Sequence, residues 1–245
     1  VGAVDVEELE AVPERRRWLA LPHLAQGPAV EILLGEAVAV EGPPEAMGPE
    51  EGEEAVHLAE VDDRIGAPPA LQEKIANELA KRNMDLGPFV LYADFKTRSM
   101  VTRDPEIMQM LKERLKTGLE VQKRTNVKTA LVVPGRYDEK LAWDYQTANV
   151  IDSMRMLCDL AGPTGLTLVM EPLNAHTDHP GLFLTSMPQA YMICKAVNHS
   201  SCKIVDDMYH QQITEGNIIP NIDMSWEYIG AFHIGDNPGR KEPTT

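Results

Sequence analysis

From Pro69 onward the chain alternates between two hydrophobic rhythms. Over ALQEKIANELAKRN (70–83), Leu71, Ile75 and Leu79 recur at i, i+4 and i+8 with charges between them, which predicts an amphipathic helix. PFVLYADF (88–95) is a short apolar run and predicts a strand. Asp104 and Pro105 then read as N-cap and first residue of a helix. Its apolar positions, Ile107, Met110, Leu111, Leu115 and Leu119, carry it to Asn126. KTALVVPGR (128–136) predicts a strand ending in a Pro-Gly turn, and a helix follows from about Trp143 to Leu160, closed by Gly162 and Pro163. LTLVMEPLN (166–174) is the next strand, and SMPQAYMICKAVN (186–198) a helix capped by Ser186. SCKIVDDMYHQQ (201–212) is a strand, ITEGNIIPNIDMSW a short irregular or helical stretch, and IGAFHIGDNPGR (229–240) the last strand. Helix first, then five strands alternating with helices: this order predicts α/β architecture with a parallel sheet.

The last three strands each end in a group able to bind a divalent cation: Glu171, Asp207 and His233. In a closed β/α barrel all strand C-terminal ends face one mouth, so three such groups converge there. A carboxylate at the end of an apolar strand is costly to bury unless paired or metal-bound. Each residue has a plainer alternative. Glu171 could pair with a base, Asp207 could cap a helix, and His233 could be a satisfied core histidine. Asp206 and Asp207 are adjacent and point to opposite faces of a strand, so only one can enter the mouth. Asp207, preceding MYH, is the better candidate.

His210 lies three residues after Asp207 and could donate to a substrate oxygen; its alternative is a loop histidine. Arg240 in NPGRKEP has the planar fork for a carboxylate or hydroxyl clamp, or is an exposed charge. Pro172 and Asn174 look like the rim of a site. His176 and His179 form an HxxH in a loop and read as solvent-exposed histidines; Arg136 is a weaker candidate for reaching the mouth. Oxygen and imidazole ligands without thiolate suit Mg²⁺, Mn²⁺ or Co²⁺ better than structural zinc. No Gly-rich phosphate loop and no local signature of a nucleophile triad is present.

Composition changes the picture at one place. The chain has 245 residues, 43% of them apolar, and a net charge of −15. That charge argues against binding nucleic acid or an anionic membrane. No apolar run approaches the roughly 18–20 residues of a membrane span. No signal peptide is evident at the N-terminus. Three cysteines without CxxC spacing (Cys158, Cys194, Cys202) suit packing in a reduced, cytoplasmic protein. Yet residues 1–70 hold 16 acids and 4 arginines and lack Lys, Ser, Thr, Asn, Phe, Tyr and Cys altogether. Caps and turns draw on several of those residue types. Two readings compete for this acidic Ala/Glu/Gly/Pro-rich segment, bounded at 1–68. It is a partly disordered extension, or it is GC-rich coding sequence translated in the wrong frame. AVEILLGEAVAVE (29–41) is its one strand-like run. The barrel domain is expected over 69–245. Against eight strands it is three short, two before residue 70 and one after residue 245.

The segments VVPGRYDEKLAWDYQTANVID, MEPLN, HPGLFL, DMYHQQITEGN and HIGDNPGRKEPTT resemble, in order, the hydroxypyruvate isomerase group of the xylose isomerase-like TIM-barrel superfamily. The resemblance runs from about residue 69 to the last. It implies a (β/α)8-type barrel, incomplete here, that holds a divalent metal, Mg²⁺ or Mn²⁺ or Co²⁺. Glu171, Asp207 and His233 would be its first three ligands; the group commonly has Gln at the third position. The family's fourth ligand, a Glu on the last strand, would fall beyond Thr245, since Glu242 is too close to Arg240. The implied reaction interconverts hydroxypyruvate and 2-hydroxy-3-oxopropanoate (tartronate semialdehyde) through an enediolate, in glyoxylate and carbohydrate metabolism. Glu171 would be one of two proton-transferring carboxylates, and His210, Arg240 and Asn174 would bind substrate. Competing readings are a ketose 3-epimerase and an inactive fragment or binding protein. The expected partner is a small hydroxy-oxo acid or small sugar, with neither nucleic acid nor membrane; a homo-oligomer is compatible.

Overall fold

The computed structural model describes residues 67–93, 95–96 and 100–241, together with the short strand at 29–30. The elements in order are β1 (Ala29–Val30), α1 (Pro69–Lys81), β2 (Phe89–Ala93), α2 (Pro105–Thr125), β3 (Thr129–Val133), α3 (Trp143–Ala161), β4 (Thr167–Met170), α4 (Met187–Val197), β5 (Cys202–Asp207), α5 (Met208–Thr214), α6 (Ile218–Ser225) and β6 (Ile229–His233). One sheet runs β1-β6-β5-β4-β3-β2, and every pairing in it is parallel. The expected α/β order is therefore present. Among the described residues no pairing joins β1 to β2.

Local chemistry sets the element ends. The Asp104 side chain accepts the Glu106 amide at 2.8 Å and Pro105 fills the first turn of α2, which ends where Asn126 turns left-handed at φ 58°. Ser186 caps α4 through the Gln189 amide. The strand expected over 201–212 ends at Asp207, whose side chain caps a helix, so Met208–Gln212 belong to α5 instead; ITEGNIIPNIDMSW supplies the end of α5, then α6 and the start of a 3-10 turn at Trp226–Tyr228. Of the strand-like run at 29–41, residues 29–30 pair with Ala231 and Phe232 of β6; the rest lies outside the described residues. So do the other readings made for 1–66, and Glu242.

Both faces of the sheet are apolar, as two-sided burial of a parallel sheet demands. Ala130, Val132, Leu168, Met170, Ile204 and Phe232 face the helices and join Leu111, Leu115, Met154, Leu157 and Ile193 in the larger core. Leu131, Val133, Val169, Val205 and Ala231 form a smaller cluster on the opposite face. Side chains alternate along a strand. Two residues beyond Val169, Val205 and Ala231 come Glu171, Asp207 and His233, so the apolar inner face ends in three polar groups at one level.

The helices pack closely behind. A Cβ at Gly118 of α2 would stand 2.8 Å from Leu91 Cδ1 and 3.1 Å from the Phe89 ring, so the glycine lets the helix lie against β2. All three cysteines are free and buried, with Cys194 Sγ 3.7 Å from Cys202 Sγ. No described helix is long and apolar enough to cross a membrane.

Candidate active site

Three adjacent strands, β4, β5 and β6, deliver Glu171, Asp207 and His233 to one point. His233 Nδ1 lies 3.3 Å from Glu171 Oε1 and 4.0 Å from Asp207 Oδ2. One ligand atom from each residue falls within 4.8 Å of the others. Both carboxylates are buried, at 6% exposure for Glu171 and 3% for Asp207.

Two buried carboxylates at this range cannot both carry charge cheaply. Burial works against the Glu171 charge, but the hydrogen bond and charge of His233, with His210 and Arg240 behind it, hold this carboxyl below its usual range. Asp207 takes the strain: burial, then the Glu171 charge, push it up to about 6 against the pull of His233 and Arg240. Two buried carboxylates and an imidazole, each offering one atom within 4.8 Å of the others, fit a divalent cation.

Asp207 serves two of the roles open to it in the sequence. Its Oδ1 accepts the Tyr209 amide at 3.0 Å and so caps α5, while Oδ2 faces the cluster. Capping and facing the cluster fall to different oxygens of one carboxylate. Asp206 points to the helix side, where burial, Asp207 and Glu215 push it up to about 7. Of the two acids, Asp207 lies in the cluster with Glu171 and His233 and Asp206 does not.

His210 belongs to the first turn of α5 and is fully buried, so it is not a loop histidine. Burial pushes its pKa down to about 4. Its Nε2 lies 3.6 Å from Asp207 Oδ2 and 3.3 Å from Arg240 Nη2. Arg240 Nη2 also donates to Asp207 Oδ2 at 3.3 Å, with the guanidinium 4.7 Å from the Tyr209 ring centre. The Arg240 side chain is nevertheless 46% exposed, so one side of the fork is paired and the other open to solvent.

Asn174 is wholly buried and its amide is engaged by the protein. Oδ1 accepts the amides of Thr177 and Asp178 at 3.1 and 3.0 Å, and Nδ2 donates to Asp178 Oδ2 at 2.7 Å and sits 2.6 Å from His210 Nδ1. His176 is exposed, as expected. His179 is not: it is half-buried, stacked on Phe95 with ring centres 5.1 Å apart, and 5.3 Å from His210. Burial lowers its pKa. Arg136 donates to the Pro180 carbonyl at 2.8 Å and packs against Gly181, whose φ of 84° and missing side chain admit it. It braces the loop after β4.

Sequence reasoning missed Phe95, Asp178 and Tyr209. Tyr209 and Asp178 are hydrogen-bonded through the phenol. The Asn-x-x-x-Asp spacing before Pro-Gly is a turn signal that could have found the 174–178 pairing. Nothing in the sequence brings Phe95 to His179, since the contact spans two strand ends.

The model of the xylose isomerase-like TIM barrel family matches residues 47–244. The chain is 34% identical over 98 residues to hydroxypyruvate isomerase of Escherichia coli (strain K12), covering 40% of this chain and 38% of that protein. It is 32% identical over 96 residues to 2-oxo-tetronate isomerase of Cupriavidus necator, covering 39% and 36%. These alignments span little more than a third of the relatives' own length. Among solved structures, AP endonuclease, family 2 from Brucella melitensis superposes with a TM-score of 0.63 at 25% identity, over 71% of this chain and 67% of that one.

Proposed function

Because this chain belongs to the xylose isomerase-like TIM barrel family, we propose that it is a metal-dependent isomerase of a small hydroxy-oxo acid, converting hydroxypyruvate into 2-hydroxy-3-oxopropanoate. The observation that carries this reading is the convergence of Glu171, Asp207 and His233 at the ends of three adjacent parallel strands. The likeness to two isomerases of hydroxy-oxo acids supports the substrate class.

In this reading Glu171, Asp207 and His233 hold a divalent ion of the Mg²⁺ or Mn²⁺ class. Such an ion, when bound, supplies Lewis acidity to a carbonyl and its neighbouring hydroxyl. Glu171, held charged beside His233, is the base for the proton on the hydroxyl-bearing carbon. Arg240 offers the open side of its guanidinium to the substrate carboxylate. His210, neutral in its buried place, hydrogen-bonds a substrate oxygen.

The test is solvent exchange at the substrate carbons. In D2O with Mn²⁺, the protein should exchange the C3 proton of hydroxypyruvate and form the aldehyde isomer, followed by proton NMR. Glu171→Gln should lower the rate by at least about 100-fold, the range of a lost general base, with an unchanged circular dichroism spectrum. Unchanged turnover in that variant would sink the assignment.

A further inference from the structure

Asn174 was expected to touch substrate; its hydrogen bonds give it a different task. Three contacts fix which way its amide faces. The backbone amides of Thr177 and Asp178 can only donate, so the atom they meet is Oδ1. Asp178 Oδ2, as a carboxylate oxygen, accepts, so the atom it meets is Nδ2. A flipped amide would set donor against donor twice and acceptor against acceptor once. With Nδ2 so fixed, the group 2.6 Å from His210 Nδ1 is a donor. The Asn174 backbone amide approaches the same nitrogen at 3.5 Å. Two donors on Nδ1 leave room only for its lone pair, and the ring hydrogen must then sit on Nε2. Which nitrogen of a histidine carries hydrogen is set by what the other one meets.

We infer that Asn174 is a positioning residue that locks His210 as the Nε2–H tautomer, so that His210 presents a hydrogen-bond donor to the reacting site. On the Nε2 side lie Asp207 Oδ2 at 3.6 Å and Arg240 Nη2 at 3.3 Å. Both ends of the ring thus face a donor, and the nearer, Asn174 at 2.6 Å against Arg240 at 3.3 Å, decides which nitrogen keeps its lone pair. Arg240 gives its hydrogen to Asp207 Oδ2, and the Nε2–H faces the same oxygen from beyond hydrogen-bond distance, so two donors stand side by side for an oxygen of the substrate when one is bound. His210 in this state cannot take a proton through Nδ1, which is buried and capped by Asn174. The kinetic consequence rests on the isomerase reading; the tautomer itself does not.

The experiment reads the tautomer directly. Long-range proton–nitrogen correlation spectra of the full-length, ¹⁵N-labelled, metal-free protein at neutral pH report which ring nitrogen is protonated, with His210→Phe assigning the signals. Wild type should show Nε2–H. The double exchange Asn174→Asp with Asp178→Asn keeps a hydrogen bond between the two positions but turns the group facing Nδ1 into an acceptor. It should move the hydrogen to Nδ1 and, in the isomerase assay, lower kcat about 10- to 100-fold, the usual loss for a residue behind the first contacts. The single exchange Asp178→Asn, which leaves Asn174 as donor, should keep Nε2–H. A wild-type ring protonated on Nδ1, or a tautomer unmoved by the double exchange, overturns the inference. Should the double variant fail to fold, the wild-type spectrum decides alone. An Nε2–H signal in a protein without isomerase activity would uphold the tautomer and reject the proposed function.

Discussion

At the scale of single residues, Asp207 separates two duties that a truncation would confuse. Oδ1 caps α5 and Oδ2 faces Glu171 and His233. Asn can still accept the Tyr209 amide, but it brings no charge. Asp207→Asn should therefore keep the melting temperature of the metal-free protein, or raise it, because it removes the repulsion from Glu171. The same variant should weaken Mn²⁺ binding by at least tenfold in titration calorimetry. Asp207→Ala should lose the cap as well, for about 1 kcal/mol of stability in a denaturant melt. Equal melting points for the two variants would show that the cap contributes nothing. The three cluster residues were legible in the sequence because each ends an apolar run. The state of His210 was not, because it depends on Asn174, which lies 36 positions away and meets it only in the fold.

At the scale of elements, the close seat of α2 on β2 rests on Gly118. Alanine would favour the isolated helix by about 1 kcal/mol, but its methyl would press on Leu91 and the ring of Phe89, both buried. Overpacking of a filled core costs about 1–3 kcal/mol and wins. Gly118→Ala should thus lower the melting temperature; a rise would mean the core yields. Helix ends such as Asp104, Asn126 and Ser186 could be read in advance because capping is local chemistry. The pair α5 and α6 could not. Their segment is short, carries no clear apolar stripe, and is placed by Asp207 and by packing rather than by its own rhythm. His179 escaped for a related reason: an HxxH in a polar loop gives no sign of the Phe95 ring that covers it.

At the scale of the whole molecule, burial and the neighbouring Glu171 disfavour the charged form of Asp207 in the metal-free protein. A divalent ion that binds only the folded chain should stabilise it, by about 2.7 kcal/mol at a hundredfold excess over the dissociation constant. Melts with and without Mn²⁺ should show the shift, and chelation should reverse it; no shift would mean the cluster does not bind the ion.

The alternation of side chains that aims Glu171, Asp207 and His233 inward also sets how the three strands would bear a one-residue insertion or deletion. In β4 such an indel would replace Glu171 with its neighbour Met170 or Pro172, and in β6 it would replace His233 with Phe232 or Ile234. Either event exchanges a group of the candidate metal site for a residue with neither carboxylate nor imidazole. In β5 the neighbour on one side is Asp206, so a shift in that direction would still present an acid, although one whose partner no longer caps α5. Of the three strands, only β5 carries this spare, so a one-residue shift there should cost Mn²⁺ binding less than the same shift in β4 or β6.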